Sequence, residues 1–154
     1  MAMDLETKLY QSAARTFEEV CFLLTLREPA PDVPAAAERE IGVRIGFDGV
    51  FHGALEITCP AAIAEQLALA MLGGEKPSAQ QRQDAFGEIS NVITGNLLPA
   101  IVGTELVFDV TAPGQLAGQP PLPFQPSARV RLRSDEGPID LALYIEGYQP
   151  ERKP

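Results

Sequence analysis

Residues 41–47 read IGVRIGF, and they place Ile41, Val43, Ile45 and Phe47 on every second position. Side chains two apart on an extended chain share a face, so the alternation predicts a strand with one dry side. Asp48-Gly49 follows as a turn signal, and VFHGALEIT returns as the second strand of a hairpin. The pattern recurs later, where SARVRLRS and PIDLALYIEGY alternate and are joined by DEGP. A hairpin that is apolar on one side only is not stable alone and must be covered by another layer. The rest of the chain is therefore required to supply the cover.

It does so with three helical segments. Leu5, Leu9, Ala13, Phe17, Val20 and Leu24 have helical spacing over residues 4–26, with Asp4 as N-cap. REPAPDVP then ends the helix with three prolines in eight residues. Pro60, at the first helical position, and Gly73-Gly74 frame a second helix, PAAIAEQLALAMLGG. A third starts near Ser78 and reaches about Ile101, with Pro99 kinking or ending it. ELVFDVTA reads as a strand. PGQLAGQPPLPFQP, with five prolines in fourteen residues, reads as an irregular crossover of polyproline character between strands. The order predicts an α+β fold: an antiparallel sheet of about five to six strands with long helices packed against it, in one domain over residues 1–154. QPERKP, and residues 152–154 above all, are expected to fray. Arg129, Arg131 and Arg133 alternate along one strand and are expected on a solvent face.

Composition excludes several function classes. A net charge of −9 repels phosphate backbones and anionic lipid, so neither nucleic acid nor a membrane surface is an expected partner. Cys21 and Cys59 sit in apolar contexts, VCFLL and ITCPA, and are expected to be reduced core residues. With one histidine and no Cys-x-x-Cys there is no zinc pattern, and His52 is expected on a strand surface. The first residues carry Asp4, Glu6 and Lys8 without an apolar signal core, and the longest apolar run is near VCFLLTL. A cytoplasmic location is the expectation.

The chemistry lies in the third helix, at DAFGEISNVITGN, residues 84–96. At about 100° per residue, Phe86, Ile89, Val92, Ile93, Asn96, Leu97 and Ala100 fall on one broad side. Asp84, Gly87, Asn91, Thr94 and Gly95 fall on the other, close to Glu88. Asn and Gly are poor mid-helix residues, and a plain solvent face would use Glu, Lys, Gln or Ala. Glu88 and Asn91 are three residues apart, so their Cβ atoms are about 5–6 Å from one another. Gly87 and Gly95 would leave room for a foreign surface to come down on the helix. Asn91 is no general base at neutral pH, but its amide offers one acceptor and two donors and can orient a water. Water placed by a neutral amide suits phosphoryl hydrolysis, where catalysis is largely geometry and charge stabilisation.

DAFGEISNVITGN resembles the signature helix of the CheC/CheX family of chemotaxis phosphatases, which reads roughly D-A-x-G-E-I-x-N-x-x-x-G. LALAMLGGE and FHGALEITCP are similar to the segments that precede that helix, and the likeness runs over about residues 5–147. The resemblance implies a CheC-like fold and hydrolysis of the aspartyl phosphate of a CheY-like response regulator. It gives Glu88 the role of engaging the regulator's lysine and Asn91 that of placing the attacking water. Asp84, Gly87 and Gly95 would then contact the partner. The Mg²⁺ would belong to the regulator, so no cofactor of the chain's own is implied. Two-site members carry a second Glu-x-x-Asn helix, whereas here the only other asparagine is Asn96, three residues after Ile93. A single motif is similar to CheX, which implies a homodimer. Relatives among flagellar switch proteins keep the alternative of a non-catalytic module that binds a regulator or a motor component.

Overall fold

The computed structural model describes residues 3–147; the tail 152–154, expected to fray, lies outside them. Both expected hairpins form. β2 (Ile41–Asp48) pairs with β3 (His52–Cys59), and β6 (Ala128–Ser134) pairs with β7 (Gly137–Ile145). β3 and β7 then pair with each other, with Leu55 opposite Leu143, and fuse the two hairpins into one antiparallel sheet. Three short strands complete it: β1 (Leu26–Glu28) on β6, and β4 (Asp109–Val110) and β5 (Gly114–Gln115) on β2. The order is β1-β6-β7-β3-β2-β4, with β5 also on β2. Seven strands replace the five to six expected, because the proline-rich segment after the first helix contributes β1 and the irregular crossover begins with β5. The strand expected over ELVFDVTA shrinks to the two residues of β4.

The helices are α1 (Leu5–Cys21), α2 (Ala61–Leu72) and α3 (Ala79–Val102). Asp4 caps α1 by accepting from the Thr7 N–H at 2.7 Å. The stop of α1 differs from the sequence expectation. Phe22 takes up a left-handed conformation (φ 56°), and its N–H donates to the Glu18 carbonyl at 3.0 Å, so the helix ends before any proline. Leu24 therefore lies beyond the helix, and Val20, though within it, is off the buried arc of Leu9, Ala13, Phe17 and Cys21; both are exposed. Pro60 is the N-cap of α2 rather than its first residue. Ser78 and Gln81 form a reciprocal capping box at the start of α3, each side chain accepting from the other's backbone N–H, at 3.1 and 2.8 Å. α3 continues three residues past Pro99.

All three helices cover one face of the sheet. Val43, Ile45 and Phe47 from β2, Leu55 and Ile57 from β3, and Ile139, Leu141 and Leu143 from β7 point into the core with the helices' buried side chains. α3 packs against both other helices and β2, and α1 lies on β6. Cys21 and Cys59 are free and buried in this core, and burial raises both thiol pKa values, that of Cys21 to about 11.

The opposite face corrects the reading of the three arginines. The segment after β1 folds over it through the 3-10 turn Ala36–Glu38. Arg131 is buried there, donating to Asp140 at 2.8 and 2.9 Å and to Glu38 at 3.0 Å. Arg129 pairs with Asp32 and Arg133 with Glu28, both at 3.1 Å. Arg131 is thus covered, whereas Arg129 and Arg133 are half-buried, each in an ion pair that stays open to solvent. The hydrogen bonds from Arg131 hold the Glu38 carboxyl below its ordinary pKa. Removing Asp140 would leave the buried Arg131 guanidinium with Glu38 alone, and breaking a buried charge pair costs up to about 3 kcal/mol when the remaining charge is only partly compensated. Asp140→Ala is therefore expected to lower unfolding free energy by up to that amount in urea titration; a loss under about 1 kcal/mol would mean that Arg131 is not held by this pair.

Candidate functional site

The site follows from how α3 is seated. Phe86, Ile89, Ser90, Ile93, Thr94 and Leu97 are fully buried, and Asp84, Glu88, Asn91 and Gly95 are exposed. These positions divide the helix into one arc fixed to the core and one strip left outside. The buried arc is shifted relative to the sequence expectation. Ideal helical angles put Thr94 outside, and Asn96 and Ala100 inside; the structure reverses all three. Ser90 and Thr94 can enter the core because each hydroxyl donates to a carbonyl one turn back, Ser90 to Phe86 at 2.7 Å and Thr94 to Ser90 at 2.9 Å. Leu98 is also buried. Asn96 does make a structural hydrogen bond, its Nδ2 donating to Thr16 Oγ1 at 3.4 Å.

On the strip, Glu88 and Asn91 stand one turn apart with both side chains exposed. Neither hydrogen-bonds to another side chain or to the backbone among the described residues, so their polar atoms remain available to an incoming molecule. The two glycines differ. A Cβ on Gly95 would meet nothing within 4 Å, as an open approach requires. Gly87 is buried, and a Cβ there would lie 3.3 Å from Pro113 Cβ. Gly87 therefore serves close packing of the chain on itself, which corrects its expected place on the open face. Asp84 is exposed, and its Oδ1 accepts from Gln80 Nε2 at 2.7 Å.

Beside Glu88 runs a groove of about 350 Å³ between α3 and the segment after β4, with Gly87 and Val43 among its lining and Pro113 and Gln115 on its far side. Sequence reasoning missed this second side. Its trace in the sequence is three glycines, Gly42, Gly46 and Gly87, and a glycine marks an ordinary turn or bulge as readily as a close approach of two segments. His52 is the first residue of β3, exposed as expected, with Nδ1 2.6 Å from Asp48 Oδ1. Among the described residues no group of three or more His, Cys, Asp or Glu is arranged to hold a metal ion, and no helix is long and apolar enough to cross a membrane.

Known structures share this architecture. The chemotaxis protein CheX from Desulfovibrio desulfuricans superposes with a TM-score of 0.77 at 16% identity, over 94% of this chain and 100% of that one. CheX from Vibrio vulnificus gives 0.74 at 20% identity, over 95% and 99%. CheX in a CheX–CheY–BeF₃–Mg²⁺ complex from Borrelia burgdorferi gives 0.68 at 18% identity, over 92% and 97%. No curated protein matches the chain by sequence. The fold is thus that of the CheC-like chemotaxis proteins. More narrowly, residues 41–131 match the family described as chemotaxis phosphatase CheX, and the chain belongs to that family.

Gly95 gives a direct check on the openness of the strip. An exposed mid-helix glycine costs about 0.8–1 kcal/mol relative to alanine. Gly95→Ala is expected to raise unfolding free energy by up to that amount, measured by urea titration. A loss of stability would show that a methyl group there is not free.

Proposed function

We propose that the chain hydrolyses the aspartyl phosphate of a phosphorylated CheY-like response regulator, with Glu88 and Asn91 on α3 as the working pair. The observation that carries this reading is the adjacency of the two exposed side chains on a strip that Gly95 leaves open. Family membership supports the phosphatase class. The Borrelia complex, in which a CheX is bound to CheY with BeF₃ and Mg²⁺, supports a CheY-like partner.

In this reading Glu88 accepts a hydrogen bond from the regulator's active-site lysine and so sets the register of docking. Asn91 Oδ1 then accepts from a water that faces the phosphorus, and its Nδ2 can donate to a phosphoryl oxygen. The water oxygen bonds to phosphorus as the bond to the aspartate oxygen breaks. Inorganic phosphate leaves with both protons of the water, as dihydrogen phosphate, and the regulator's carboxylate is restored. Asn91 takes no proton; its part is to remove the orientational cost of an otherwise free water. The Mg²⁺ that neutralises the phosphoryl oxygens belongs to the regulator. Asp84 and Gly95 contribute the surface on which the partner rests.

A homodimer with one Glu88–Asn91 pair per protomer is part of the same reading. It is supported by the outer edge of β1, which pairs with no other strand among the described residues and is flanked by Phe22, Leu24 and Leu26, each more than 70% exposed. Leu24→Glu is expected to shift the protein to monomers in sedimentation equilibrium. A variant that sediments as the wild type does would show that this edge is not the dimer interface.

The catalytic claim is tested by following loss of phosphate from a labelled phospho-regulator. Asn91→Ala is expected to reduce kcat by about 100-fold or more, as loss of a positioned polar group does in other active sites, with the fold intact because the side chain is exposed. Glu88→Ala is expected to raise KM by about tenfold, the effect of losing one charge-assisted contact. Near-wild-type turnover by Asn91→Ala contradicts the mechanism. A wild-type protein that prolongs the life of the phospho-regulator is a binding module instead.

A further inference from the structure

Residues 109–116 form a strap along the β2 edge. The Thr111 N–H donates to the Gly46 carbonyl at 2.9 Å, the Gly46 N–H to Thr111 Oγ1 at 2.8 Å, and the Leu116 N–H to the Gly42 carbonyl at 3.0 Å. Glycine lies beneath the strap at each of these points. A Cβ on Gly42 would stand 3.0 Å from Leu116, one on Gly46 3.4 Å from Thr111, and one on Gly87 3.3 Å from Pro113. The first two seat the strap on β2 and the third seats it on α3, immediately before Glu88. Gln83 ties α3 to the same edge, its Nε2 donating to the Gly42 carbonyl at 3.2 Å. The strap is thus built into the angle between the sheet edge and the signature helix, and its Pro113 and Gln115 side chains remain exposed.

We infer that Pro113 and Gln115 are specificity-determining residues, forming a second wall of the docking surface so that the regulator is gripped between α3 and the strap. The inference rests on the reading of Glu88 and Asn91 given above. The groove adjoins that pair through Glu88, which lines it. Its chemistry selects the contact: the lining offers the carboxylates of Asp84 and Glu88 and the amides of Gln80 and Gln115, and no lysine or arginine. A cationic side chain of the regulator next to its phosphorylated pocket fits such a lining, and an anionic one is repelled. Pro113 has no backbone N–H and a fixed φ, so the wall is stiff where it meets Gly87.

The test places a positive charge on the wall. Gln115→Lys is expected to raise KM for the phospho-regulator at least fivefold, with kcat within twofold of wild type. It is expected to weaken binding of the beryllofluoride-activated receiver domain by the same factor. Val107→Lys, the same added charge at a residue 84% exposed outside the groove, is expected to leave both values within twofold. Wild-type KM and binding for Gln115→Lys overturn the inference, as does equal weakening by Val107→Lys. The failures are separable. If wild-type protein hydrolyses the phospho-regulator and Asn91→Ala does not, the main reading stands whatever the strap variant does. If wild-type protein does not hydrolyse it, that reading falls, and binding of the activated receiver alone decides the strap; absence of binding overturns both.

Discussion

Everything about the surface of α3 depends on how four of its side chains are buried. Phe86, Ile89, Ile93 and Leu97 have no exposed area, and they lock the helix in rotation against β2 and between α1 and α2. A close-packed core does not allow a helix to roll by a few tens of degrees without opening voids. Once those side chains are seated, the positions of Glu88, Asn91 and Gly95 follow with no further choice. The strip is outside because the opposite arc is inside. A helix with this sequence but a loose core would present no fixed pair of polar groups, and fixed geometry is what water positioning needs.

The sheet supplies the platform in two different ways. Its helix-facing side is apolar packing from β2, β3, β6 and β7. Its other side is an ionic layer centred on Arg131, covered by the segment that follows β1. At one edge, β4, β5 and the strap close β2 and also meet α3, while at the other edge β1 stands with its outer side unpaired among the described residues. The two edges thus differ in chemistry, and the closed edge is the one next to Glu88.

Much of this was legible in the sequence. Strict alternation in IGVRIGF and PIDLALYI identified the two hairpins, because one-sided burial imposes a period of two. Asp4 and Ser78 marked helix starts by residue type alone. The Glu88–Asn91 pair was readable because asparagine and glycine on a helix exterior require a reason. The errors have physical causes. A helical wheel gives angles between residues but not the centre of the buried arc, which is why it puts Thr94 and Gly87 outside. A threonine can be buried when its hydroxyl bonds one turn back, and a glycine when another segment of chain needs its missing Cβ. β1 was hidden because Leu26 is exposed and prolines follow it. Arg131 was misplaced because its partners, Asp140 and Glu38, come from separate elements that only the fold brings together.

The central claim is that the exposed strip carrying Asn91 is where a phosphorylated receiver domain docks. The chain has two asparagines, so its side-chain amide spectrum reads this claim with an internal control. Asn91 lies on the strip, and Asn96, one turn and a half further along α3, is engaged with Thr16. Titration with a beryllofluoride-activated receiver is predicted to shift or broaden the Asn91 side-chain amide signals and to leave those of Asn96 nearly unmoved. Saturating binding that leaves the Asn91 signals where they are in the free protein would contradict the account.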